Sequence, residues 1–227
     1  RKRSGDLLFR TGGEEFVLLL PMASRAAALR VAEDLRLRLA ETELLAGERV
    51  TVSIGHTAAP HTDVEALIAA GATGFTHLFN AMPPLEGRTP GAVGVALADR
   101  ESWAGLILDG IHVHPVSAKA AFAAKSAGKL ILVSDAMATV GGVDPAMTLF
   151  GERIDISEGA LRTQSGALAG AHLDLAMAAR NALTMLGANA EEALRMTSLT
   201  PAEFLRVDAT HGRVAPGARA NLVLFDD

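Results

Sequence analysis

Four short apolar runs each stop at a residue able to do chemistry. TVSIG (51–55) ends at His56, TGFT (73–76) at His77, GLIL (105–108) at Asp109 with His112 just beyond, and LILVS (130–134) at Asp135. Buried strands of this length, alternating with Ala-rich helical stretches, are the signature of parallel βα units. In such units functional residues gather at the carboxyl ends of the strands. If the strands are neighbours, four polar ends share one rim, so an α/β fold with its site on that rim is expected.

The intervening segments fit this alternation. Thr62, Asp63, Val64 and Glu65 read as a capping box opening a helix that Gly71 closes, and VSAKAAFAAKSAG (116–128) reads as the helix between the third and fourth strands. Thr200, Pro201, Ala202 and Glu203 read as a further cap and helix start. GRVAPGARANLVLFDD reads as two short strands around a Pro-Gly turn.

Upstream of Gly55 the rhythm differs. DLLFRTGGEEFVLLLP (6–21) has apolar runs on either side of TGGE, which predicts a β-hairpin whose turn uses glycine for positive φ and exposes Glu14 and Glu15. From Ser24 to Leu45, Ala28, Val31, Ala32, Leu35 and Leu39 recur at helical spacing. Gly47 ends that helix and the strand RVTVSIG follows. The boundary therefore falls near Gly55, giving segments 1–54 and 55–227.

Composition removes several function classes. Acidic and basic residues are interspersed and the net charge is −5, so no basic stripe is offered to nucleic acid or an anionic membrane. No apolar run approaches the roughly 20 residues that span a bilayer. The start RKRSGDLLFR lacks an apolar leader core and reads as an interior segment. There is no cysteine, so a metal would be held by His and carboxylate, and a reducing cytoplasm is the natural setting.

Histidines and an aspartate at strand ends are the residue types of a hydrolytic metal site. Neutral imidazole nitrogens hold a divalent cation, and a carboxylate beside its water can carry protons. His61, His114, His172 and His211 read instead as surface or locally hydrogen-bonded residues, and Met82 and Met137 as packing residues.

The words GHTAAP, THLFNAMPPLEGRTPGAVG, DGIHVHP, LVSDAM, LAGAHLDL, TSLTPAEFL and GRVAPGARANLVLF occur in that order from about Val50 to the C-terminus. Together they closely resemble the N-acetylglucosamine-6-phosphate deacetylases of the amidohydrolase superfamily. The resemblance implies a (β/α)8 barrel, of which about the last four βα units are present, with a C-terminal piece of a small β domain. It implies His56 and His77 as metal ligands, zinc as the first choice of metal, and Asp135 as the catalytic aspartate. Asn80, the backbone of Ala81, Arg88 and His112 would hold the sugar phosphate and orient the substrate. The family's upstream carboxylate ligand has no counterpart between Arg1 and Ile54, and its earlier βα units are missing. An open half barrel exposes edge strands, so a homodimer is expected.

The first 54 residues resemble a different family. RSGDLLFRTGGEEFVLLLP, then a helix and VTVSIG, is the order of the second half of a GGDEF diguanylate cyclase domain, with GGEEF at residues 12–16 as the signature. That resemblance implies a partial α/β sheet, Glu14 as a Mg²⁺ ligand, Glu15 on a guanine nucleotide, and Arg3 and Asp6 as the inhibitory RxxD site. The family's other metal-binding aspartate lies upstream of the hairpin and is missing here.

Overall fold

The computed structural model describes residues 7–12, 15–19, 53–125, 128–149 and 151–224. Arg3, Asp6, Glu14 and the expected helix of residues 24–45 lie outside them. The hairpin expected around the GGEEF signature is present as β1 (Leu7–Gly12) and β2 (Glu15–Leu19), paired antiparallel from Leu7↔Leu19 to Gly12↔Glu15. The ladder shifts register between Arg10 and Gly12, and Glu15 is the first residue of β2.

The main sheet has four parallel strands in sequence order: β3 (Ser53–Ile54), β4 (Gly74–Phe75), β5 (Trp103–Leu106) and β6 (Leu130–Leu132). Helices α1 (His61–Ala69), α2 (Gly91–Ala98) and α3 (Pro115–Ala124) make the three crossovers, so the expected βα alternation is what the chain adopts. The core is the seam between strands and helices. Leu106, Ile107, Leu108, Leu132 and Leu78 pack there with Val64 of α1 and Val93 of α2, all fully or almost fully buried.

Local chemistry explains the helix ends. Helix α1 does not use the expected capping box: it starts at His61 behind Pro60, with no side-chain cap. The hydroxyl of Thr62 turns to Asp63 Oδ1 at 3.2 Å instead of capping the backbone. Its end is the expected glycine stop, since Gly71 is left-handed (φ 100°) and the Gly71 and Ala72 amides donate back to Ile68 and Leu67. Helix α2, GAVGVALA, is apolar on all sides and is correspondingly buried. Gly94 leaves space for Pro90 and Leu85, so the loop ahead of α2 folds back onto the helix.

Beyond β6 the structure adds elements that the strand-end pattern does not signal. Strands β7 (Ala146–Leu149), β8 (Glu152–Ser157) and β9 (Ala160–Arg162) form an antiparallel meander. Then come α4 (Leu175–Asn181), a π-turn (Ala182–Leu186), α5 (Ala190–Thr197) and α6 (Leu199–Phe204). The reciprocal capping box is at the head of α5, where Asn189 and Glu192 each bond the other's backbone amide. Thr200 does not cap a helix; it is buried inside α6. The expected C-terminal strand pair is also absent among the described residues. Ala218 closes a turn onto Ala215, but no neighbouring strand satisfies Leu222, Val223 and Leu224, which stand exposed. No helix among the described residues is long and apolar enough to cross a membrane.

Trp103, the chain's one tryptophan, opens β5 with the Lys129 ammonium 3.4 Å from its ring centre and the Phe204 ring 5.5 Å away. Nearby, Lys125 is buried just past α3 and donates to the carbonyls of Ala96 and Asp99 (3.0 and 2.6 Å) and to Ser102 Oγ (3.3 Å). It thereby caps the C-terminal end of α2 and ties it to the start of β5. Burial pushes the Lys125 amine down to about 8, against the smaller opposing pull of Asp99. Between that value and the ordinary lysine pKa the unfolded chain binds more protons, so stability from this group rises with pH across the interval. The chain has neither Tyr nor Cys to titrate there. Urea unfolding should therefore show a gain in stability from pH 8 to 10 in the native chain that is missing in Lys125→Met.

Candidate active site

Three residues that end strands share an unusual backbone: His56 (φ 42°), His77 (φ 31°) and Asp135 (φ 48°) are all left-handed without being glycine. Phe79 (78°) and Ala81 (51°) join them in the loop after β4. Such a conformation costs on the order of 1–3 kcal/mol at each non-glycine residue, and strain of this kind clusters at functional sites. The sheet holds these turns in place. Beyond β4, the Thr76 amide donates to Ile54 O of β3 at 2.8 Å, and the Leu78 amide donates to Gly105 O of β5 at 2.7 Å. His77 is thus held between two ladder bonds to opposite neighbours. Gly55 is needed beside it, because a Cβ there would meet Thr76 Cβ at 2.9 Å.

The result is that His56 and His77 meet edge to face, ring centres 4.5 Å apart and planes at 88°. His56 is exposed, whereas His77 is 6% exposed and its Nδ1 is buried without a hydrogen-bond partner. A buried ring nitrogen with no partner, whichever tautomer it belongs to, is an unmet bonding demand. Asp135 follows β6, and the strand partner of its turn is Ala171: Ala171 N donates to Asp135 O at 2.8 Å, and Met137 N donates to Ala171 O at 3.1 Å. His77 and Asp135 line one cleft of about 420 Å³, with Phe75, Ile131 and Val133 of the sheet and Phe204 of α6.

The two imidazoles fit the nitrogen ligands of a divalent cation, and the unpartnered Nδ1 of His77 is the observation that favours one. Among the described residues no group of three His, Asp or Glu side chains could complete such a site. A two-imidazole set without a carboxylate leaves a tetrahedral cation short of ligands and of charge compensation.

The other residues with an expected role are dispersed. Asn80 folds onto its own turn, with Nδ2 donating to His77 O (3.3 Å) and Leu78 O (3.4 Å), so here it buttresses the histidine turn. Ala81 and Arg88 are exposed on the loop between β4 and α2, and neither lines the cleft. His112 is bonded on both ring nitrogens, to Asp109 Oδ2 at 2.6 Å and to Ala169 O at 3.1 Å. The Asp109 hydrogen bond raises the His112 pKa against the opposing effect of burial, and Ala169 O and Asp135 add to the rise. Burial alone would raise the Asp109 carboxyl, but the His112 ring and the amides of Ile111 and His112 outweigh it and hold Asp109 below its ordinary value. Asp109 is thus the residue whose role the sequence reading missed. Its three-residue spacing to His112 in DGIH was the available signal.

The remaining histidines behave locally. His114 Nδ1 caps α3 by accepting from Val116 N, His172 Nδ1 meets Thr139 Oγ1 at 3.0 Å, and His211 Nδ1 meets Thr210 Oγ1 at 2.9 Å. Met137 packs against Gly170 and Met82 packs on the core, as expected.

With a parallel sheet, helical crossovers and a histidine pair at the strand ends, the chain can be set beside known proteins. The model of the amidohydrolase family matches residues 38–227, and the chain belongs to that family. A model of the diguanylate cyclase GGDEF domain matches residues 1–74, so residues 38–74 are matched by both. Among curated proteins, N-acetylgalactosamine-6-phosphate deacetylase of Shewanella sp. (strain ANA-3) is 44% identical over 78% of this chain and 44% of its own length. A putative N-acetylgalactosamine-6-phosphate deacetylase of Escherichia coli (strain K12) is 41% identical over 66% of this chain and 89% of its own length. Among solved structures, N-acetylglucosamine-6-phosphate deacetylase of Pasteurella multocida superposes with a TM-score of 0.72 at 32% identity, covering 76% of this chain and 45% of that one. The chain spans under half the length of the Shewanella and Pasteurella proteins.

Relief of strain tests the loop geometry directly. Ala81→Gly, at an exposed left-handed position, should raise stability by about 1 kcal/mol in urea unfolding, and Ala81→Val should lower it by at least as much.

Proposed function

We propose that residues 55–227 form the C-terminal half of a cytoplasmic, metal-dependent amide hydrolase of N-acetylhexosamine 6-phosphates, and that residues 1–54 are a GGDEF-derived segment joined to it. The observation that carries this reading is the pairing of His56 with His77 in strained turns at the strand ends, beside the cleft that Asp135 shares, in a chain of the amidohydrolase family. His56 and His77 would hold the cation, zinc being the natural match for imidazole ligands. Bound there, it would supply Lewis-acid activation of water and of the acetamide carbonyl.

Asp135 accepts a proton from the attacking water and returns it to the sugar nitrogen as the C–N bond breaks. The products are acetate and a hexosamine 6-phosphate. Arg88, exposed on the loop between β4 and α2, would supply the guanidinium for the phosphate. The relatives named above act on both galactosamine and glucosamine derivatives, so the reading extends to both C4 epimers.

The partner best matched to the open sheet is a second copy of this chain. Strands β3 and β6 are the two edges of the described parallel sheet, and a closed barrel of this class has eight strands. Two copies, each contributing four strands with β6 of one beside β3 of the other, satisfy both edges. They also bring a second His56, His77 and Asp135 to the same rim, where the described residues of one copy hold no group of three His, Asp or Glu side chains.

An acetate-release assay on N-acetylglucosamine 6-phosphate and N-acetylgalactosamine 6-phosphate, run with zinc analysis and light scattering, tests the reading. Turnover should fall roughly 100-fold or more in both His77→Ala and Asp135→Asn. The mass should be that of a dimer, and zinc should be lost in His77→Ala. A monomer without zinc or turnover would sink both the activity and the pairing.

A second reading is favoured by the GGDEF match and by the hairpin at its signature: residues 1–54 bind a guanine nucleotide through Glu14 and Glu15 with Mg²⁺, and Arg3 and Asp6 bind the cyclic product. Calorimetry should then show GTP binding that disappears in Glu14→Ala. No heat of binding with GTP or cyclic di-GMP removes this reading.

A further inference from the structure

Asp109 has both carboxylate oxygens turned to one task. Its Oδ1 accepts the backbone amides of Ile111 and His112, each at 2.8 Å, and its Oδ2 lies 2.6 Å from His112 Nδ1. The two side chains are nearly buried, 5% exposed for His112 and 10% for Asp109. On the far side of the ring, Nε2 faces the carbonyl of Ala169 at 3.1 Å. That carbonyl belongs to a short segment whose Ala171 pairs on both sides of the Asp135 turn.

We propose that Asp109 is a positioning residue that holds His112 as a doubly donating imidazolium, and that this cation latches the end of β5 to the segment bracketing Asp135. A neutral imidazole carries one N–H, so with two oxygen acceptors in line it would point a lone pair at one of them. Protonation turns that repulsion into a second, charge-assisted hydrogen bond. The charged groups acting on the ring are Asp109 from its own turn and Asp135 from the end of β6, and the 168–172 segment contributes the Ala169 carbonyl. All favour the cation, and burial opposes it.

The assignment rests on the reading of Asp135 as the reacting carboxylate, and it changes the role expected for His112. A ring with both nitrogens donating is no general base. A substrate oxygen that reaches Nε2 must displace the Ala169 carbonyl, so ligand binding at this position is coupled to the segment next to Asp135. Loss of the proton should release the same segment without any ligand.

The test is a histidine-ring and amide NMR titration of the full chain, with His112 assigned by its loss in His112→Gln. In the native protein both His112 ring nitrogens should carry protons at neutral pH, and the ring should deprotonate above the range of an ordinary histidine. The Ala171 and Met137 amides should shift with the same midpoint. In Asp109→Asn the ring midpoint should fall by at least one pH unit, carrying the amide shifts with it. A neutral His112 ring at pH 7 in the native protein overturns the proposal whether or not the variant folds. So does an unchanged midpoint in Asp109→Asn, or amides that ignore the ring. No substrate enters the measurement, so failure of the deacetylase reading shows separately, as missing acetate release with the latch intact.

Discussion

Two backbone hydrogen bonds organise the site: Thr76 to Ile54 on one side of β4 and Leu78 to Gly105 on the other. They come on either side of a single residue and hold its chain to both neighbouring strands at once. His77 is therefore fixed in a left-handed turn it would not choose, and its ring is brought against His56 at the end of the neighbouring strand β3. The local strain, roughly 1–3 kcal/mol, is offset by the ladder and by the buried seam behind it. Leu78, the residue after the histidine, is itself fully buried, so the core and the site share adjacent positions in the chain.

Much of this was legible in the sequence because period and punctuation agree there. Apolar runs ending in His56, His77 and Asp135 fix a parallel sheet with a polar rim, and that is the sheet that forms. The histidine pair follows from adjacency of β3 and β4. Other features depend on contacts that a linear reading does not contain. Thr62 has the side chain for a cap, but Pro60 sets the backbone at that helix start, and the capping box forms at Asn189 instead. Asn80 carries the right chemistry for a sugar phosphate yet spends it on the carbonyls of its own turn. The C-terminal apolar run Leu222, Val223 and Leu224 is strand-like, but a strand needs a neighbour, and none is adjacent among the described residues. The β7–β9 meander is the converse case: its strands AMTL, ERIDIS and ALR mix polar and apolar residues and offer no apolar run like those of β3–β6, and turns at Gly151 and Gly159 connect them.

The sequence joins two family patterns, and residues 38–74 satisfy the models of both. A strand such as VTVSIG is generic: its β-branched residues suit the interior of any parallel sheet. His56 is not generic, because its value depends on a second histidine one crossover away. Segments interchangeable in packing terms can therefore be joined at the strand, while the chemistry is decided by the residue at its end.

Trp103 sits where sheet, cleft and helix α6 meet: it lines the cleft that holds His77 and Asp135, contacts Lys129 and Phe204, and has no second tryptophan to compete with it. Its indole N–H is buried without a hydrogen-bond partner. With no tyrosine in the chain either, near-ultraviolet emission comes from this one position. The protein thus carries its own optical probe of the cleft, and the colour and intensity of that single fluorophore register whatever enters beside the histidines.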